Sequence, residues 1–103
     1  MLRSVGQAPV TGSGEDPRAS ALGNAVARLR RELAGHPGKF SDRGIAEDEL
    51  AVLAGMAASG AIEVPRMRRS LLLIAGAIGS VSALVPALMQ VRKAVDLFGG
   101  VPR

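Results

Sequence analysis

The sequence predicts an all-α protein, and three observations carry that prediction. Leu, Ile, Val and Ala recur at spacings of three and four, β-branched residues are sparse, and no stretch alternates apolar and polar residues with period two. The expected architecture is two amphipathic helices plus one long apolar helix kinked near Pro86, packed as a helical bundle. A chain of 103 residues supports one domain with a single modest core. Although 48% of the residues are apolar, Phe40 and Phe98 are the only aromatic ones, so that core must be built from aliphatic side chains. Ala and Leu lose least on entering a helix.

Residues 1–15 contain Gly6, Pro9, Gly12, Ser13 and Gly14 and show no helical period, which predicts a flexible tail. A single helical domain is expected over 16–100, with a short tail at 101–103. Asp16-Pro17 is a helix start with a physical cause: the carboxylate can accept free first-turn N–H groups, and proline loses nothing at the first helical position. Leu22, Val26, Leu29 and Leu33, with Ala25 beside them, then make one apolar stripe on a helix over 17–34. Gly35-His36-Pro37-Gly38 should end it, with glycine in a left-handed conformation. The second helix is expected over 43–59, carrying Ala46, Leu50, Leu53 and Ala57 on one face and Ile45, Val52 and Met56 widening it. Its first turns hold Glu47, Asp48 and Glu49, the charge favoured at the positive end of a helix dipole. Gly60 closes it.

Val64-Pro65 opens the third helix, expected over 65–98 because Gly99-Gly100 is the first clear stop. Pro86 interrupts it, but no Gly, Asn or Asp adjoins that proline, which predicts a kink or a short break and not a hairpin turn. Such a helix would be about 50 Å long and would need a second copy, a bilayer or its own first half as a partner. From Ser70 to Gln90, SLLLIAGAIGSVSALVPALMQ contains no charge, and Arg66, Arg68 and Arg69 precede it while Arg92 and Lys93 follow. An uncharged apolar run of that length, flanked by cations, satisfies the usual requirements of a membrane span. Against this, Leu71, Ile74, Ile78, Val81, Val85 and Leu88 form an interhelical apolar seam, and Ala75, Gly79, Ala83 and Ala87 form a ridge of small residues that admits close helix approach. The first two helices also need this segment to cover their apolar faces.

The net charge of +4 is mildly basic, with arginine supplying most of the cations. Arg66, Arg68 and Arg69 form a candidate basic patch at the start of a helix, where the dipole disfavours cations. Either they pair with the acidic start of the second helix or stand solvated, or they contact phosphates, headgroups or an acidic partner. The absence of cysteine excludes disulfides, cysteine-based zinc sites and a thiol nucleophile. His36 is the single histidine, in a Gly-Pro turn without a second ligand at metal spacing. Glu47, Asp48 and Glu49 point in different directions on a helix, and Ser70, Ser80 and Ser82 have no neighbouring base and should bond back to carbonyls one turn earlier. Gly76 to Ser80 is too short and apolar for a phosphate loop. No catalytic residue, metal site or cofactor is therefore expected. Nucleic-acid binding is disfavoured, since no aromatic is placed for stacking and the arginines fall in separated groups.

The stretches MLRSVGQ, EDPR, ARLRRELA, DRGIAEDEL, PRMRRSLLLIAGAIGSVSAL and VDLFG together resemble a group of small actinomycete proteins carrying a domain of unknown function. The resemblance covers nearly the whole chain. It implies an actinomycete source and a helical fold, and it implies no activity, substrate or catalytic residue. Two functional expectations remain open. One is a non-enzymatic, cytoplasmic, self-associating helical module acting as a homo-oligomer or with an unknown protein partner. The alternative is a small cell-membrane protein with one span at about 70–90.

Overall fold

The computed structural model describes residues 16–38 and 41–99. The tails expected at 1–15 and 101–103 lie outside that range. Four helices occupy most of it: α1 (Pro17–Gly35), α2 (Arg43–Ser59), α3 (Val64–Ile78) and α4 (Val85–Gly99), with one 3-10 turn at Ser82–Leu84 before α4. Each helix packs on two others, α1 on α2 and α4, and α3 on α2 and α4, so the four close into a ring.

Helix α1 begins as its sequence dictates. The Asp16 carboxylate accepts the Arg18 N–H at 2.8 Å with Pro17 in the first turn. It ends without the expected left-handed glycine: Gly35 is still helical, and His36 turns out at φ −75°, ψ 124°. The cause is Pro37, which pushes the residue before it into the extended region. Its last carbonyls are met from outside, for the Arg43 guanidinium at the start of α2 donates to the carbonyls of Leu33 and, at 3.3 Å, His36. Gly60, by contrast, closes α2 at φ +76° and donates its N–H to the Met56 carbonyl at 2.9 Å, the left-handed cap that glycine takes without a Cβ clash.

The long third helix does not exist. Its first half stops at Ile78, and Gly79, Ser80 and Val81 reverse the chain before the 3-10 turn. Gly79 and the two serines around Val81 are weak helix formers. Pro86 lies at the second position of α4, where its missing N–H would have no intrahelical partner anyway. It starts a helix and does not kink one. The 70–90 segment thus holds the second part of α3 and the first part of α4, helices folded against each other, each of 15 residues and about 22 Å long, against a hydrocarbon layer of about 30 Å. No helix among the described residues is long and apolar enough to cross a membrane, so the single span at 70–90 is corrected to a helical hairpin.

Gly79 has a local reason to be glycine: a Cβ there would collide with the Ala75 carbonyl oxygen of the preceding turn. Gly79→Leu is therefore expected to cost about 1–3 kcal/mol by overpacking. A melting curve indistinguishable from that of the unmodified chain would contradict this account of the reversal.

The core lies inside the ring. Leu22, Val26, Leu29 and Leu33 from α1 meet Ala46, Leu50 and Leu53 from α2, Met67, Ile74 and Ile78 from α3, and Leu84, Ala87, Leu88, Val91 and Val95 from the last segment. The α1 stripe is buried as its spacing predicts. In α2 the face is narrower than expected, since Ile45 is exposed.

Candidate functional site

The predicted seam is divided by the reversal. Ile74, Ile78 and Leu88 are buried in this chain's own core, and Leu71 and Val81 pack partly against it. Val85 is half-buried. These six residues therefore do not form one continuous exposed stripe. The small ridge is dispersed in the same way: Ala87 is buried, Ala75 is half-buried, and Gly79 and Ala83 face solvent around the turn.

The three arginines of the basic patch go to three different places. Arg66 donates to Glu49 Oε1 at 2.9 Å and to the Ser70 hydroxyl at 2.9 Å, and Ser70 itself donates to the same Glu49 oxygen at 2.8 Å. Ser70 is fully buried, so its hydroxyl crosses to α2 and does not bond back along α3. The Ser70 and Arg66 donors, with help from the Arg69 charge, hold the Glu49 carboxyl below its ordinary value of 4.5, against the opposing effect of burial. Arg68 reaches the Gly99 carbonyl at the end of α4, at 2.8 Å. Arg69 remains exposed.

One rule explains three of the arginines near helix starts, Arg66 with its Glu49 partner standing outside it. Arg18 places its guanidinium 4.9 Å above the Phe98 ring near the end of α4, Arg43 meets the last carbonyls of α1, and Arg68 meets the last carbonyl of α4. Each is disfavoured by the dipole of its own helix and sits at or near the negative end of an antiparallel neighbour. The bundle geometry supplies that compensation, and it cannot be read from one helix alone.

The surface with the most unpartnered apolar side chains is a groove of ≈ 440 Å³ between α3 and α4. Leu71, Leu72, Ala75, Leu88, Met89 and Val95 supply its apolar lining, while Arg68, Arg92 and Asp96 add charges of both signs. Leu72 is 73% exposed and Met89 42%. Sequence reasoning missed Leu72 and Met89 because both lie off the seam drawn for a continuous helix. The signal that could have found them is the run Leu71-Leu72-Leu73, which puts apolar side chains on more of the helix than one core-facing stripe requires.

Among the described residues no group of three His, Asp or Glu side chains is placed to hold a metal ion. No curated protein and no solved structure matches the chain. One family model does, over residues 11–99 and hence over all four helices. The chain belongs to that family, a family of unknown function designated DUF5955.

Proposed function

We propose that this chain is a non-enzymatic helical interaction module whose partner is a second copy of itself, docked through the α3–α4 groove. The carrying observation is the pair of exposed side chains, Leu72 and Met89, on a groove that Leu71, Ala75, Leu88 and Val95 also line. Single exposed apolar residues are ordinary, whereas a cluster lining one groove marks a docking surface. The charges favour a copy of the same surface. Arg68, Arg92 and Asp96 give this face both signs, so an isologous contact can set cations of one copy against Asp96 of the other.

The two folded-back helices account for self-association without the continuous seam or a bilayer. Leu72→Glu combined with Met89→Glu places carboxylates on this face and touches no fully buried residue. In sedimentation velocity the unmodified chain is expected to shift from monomer to dimer as concentration rises. The double variant should remain monomeric and melt at the same temperature as the unmodified chain at dilutions where that chain is monomeric. A monomeric unmodified chain throughout, or equal association of the variant, would refute the reading.

A further inference from the structure

The reversal at Gly79–Val81 also brings together two groups of cations that are far apart in sequence. Helix α4 lies along α1, and between them runs a second groove of ≈ 450 Å³ lined by Arg28 and Arg31 from one side and Lys93 from the other. Asn24 and Gln90 add two amides, Ala25 and Ala94 line it with small apolar groups, and Leu97 stands beside them. No carboxylate lines this groove. Its volume falls within the range of small-molecule sites.

Two of the three cations, Arg31 and Lys93, are not neutralised where they stand, whereas Arg28 is ion-paired. Arg28 is held in place by Glu32, which accepts from its Nε at 2.7 Å, and by the side-chain oxygen of Gln90, which accepts from its Nη1. With its oxygen committed to Arg28, Gln90 retains its NH2 as a donor. Arg31 and Lys93 make no hydrogen bond or ion pair among the described residues. With Glu32 opposing only Arg28, the two unpaired cations leave this concave surface with a positive potential, which an anion relieves.

We propose that the α1–α4 groove binds a phosphate-bearing ligand. Arg28, Arg31 and Lys93 take the phosphate oxygens, and the amides of Asn24 and Gln90 add neutral donors. The apolar part of the ligand lies against the alanines and Leu97. With Glu32 compensating Arg28, the two remaining positive charges exceed what a single carboxylate needs and suit a dianion, and guanidinium matches phosphate in a two-pronged geometry. The stretch from Asn24 to Arg31 is about 10 Å long and no aromatic side chain lines it, which favours a discrete phosphorylated group over a nucleic-acid strand. This site is separate from the α3–α4 groove and does not depend on self-association.

The test is a ¹⁵N-amide titration of the full chain with two probes. One is inorganic pyrophosphate; the other is phosphatidylcholine vesicles with and without phosphatidic acid. Arg31→Gln/Lys93→Gln removes the two unpaired cations of the groove. Arg30→Gln/Arg69→Gln removes the same charge at exposed positions outside both this groove and the α3–α4 groove. Pyrophosphate is expected to bind saturably and shift amides over 21–31 and 90–97. The groove variant should weaken binding by about tenfold or more, and the control variant should do so much less. Response to pyrophosphate identifies a free phosphate compound, and response only to phosphatidic acid a lipid headgroup; either supports the site if the groove variant abolishes it selectively. Two results would overturn the proposal: no saturable response to either probe, or equal weakening in both variants.

Discussion

Ile78→Ala is expected to destabilise the isolated chain by about 2–5 kcal/mol, the usual cost of deleting a buried aliphatic side chain and leaving part of its volume empty. Ile78 is fully buried at the last turn of α3, and it belongs to the same cluster as Leu84 and Leu88, which follow the reversal. The loss should be the same at every protein concentration, because the contacts it removes are within one chain. Leu72→Ala, six residues earlier and exposed, should change the melting temperature little. Thermal melts of both variants over a wide concentration range check the pair of expectations. A loss for Ile78→Ala that grows on dilution would mean that the seam packs between copies after all.

The second large effect centres on Glu49. Glu49→Ala removes the acceptor shared by Arg66 and the fully buried Ser70. The expected cost is about 1–3 kcal/mol, since a buried hydroxyl and a partly buried guanidinium lose a charged partner. The pH dependence has a definite sign. The folded-state pKa of Glu49 is lowered from 4.5, so its contribution is fully present above that value, declines as pH falls through 4.5 toward the lowered folded-state pKa, and is absent below it. Urea melts across this acidic range should show Glu49→Ala losing less stability with falling pH than the unmodified chain. Parallel curves would show that this carboxylate carries no linkage.

The α1 and α2 boundaries were legible because each rests on a local device: Asp16-Pro17 at one start, Pro37 and Gly60 at the ends, and apolar residues at helical spacing between them. The α3–α4 reversal carried equally local signals, Gly79 as a stop and Pro86 as a first-turn residue. They lie seven residues apart, so the turn signal does not adjoin the proline. Reading Pro86 as a helix start would have turned one overlong helix into two of ordinary length. The fate of the arginines was less legible. Arg66 pairing with the acidic start of α2 follows from charge alone, whereas Arg68 on the Gly99 carbonyl and Arg28 on Gln90 require knowing which helices are neighbours. The separation of the cations along the chain, a reason to disfavour nucleic-acid binding, disappears for Arg28, Arg31 and Lys93 once α4 lies on α1.

The central claim is that the uncharged 70–90 segment folds back on itself, and one distance tests it. The chain has no cysteine, so Leu72→Cys with Asp96→Cys allows two spin labels to be placed without interference, diluted into unlabelled protein so that only intramolecular pairs are read. Both positions line the α3–α4 groove. Packed antiparallel helices predict a separation of roughly 10–20 Å including the label arms. A continuous helix through Pro86 would instead place the two positions about 36 Å apart, and a distance distribution centred there would contradict the fold and the grooves built on it.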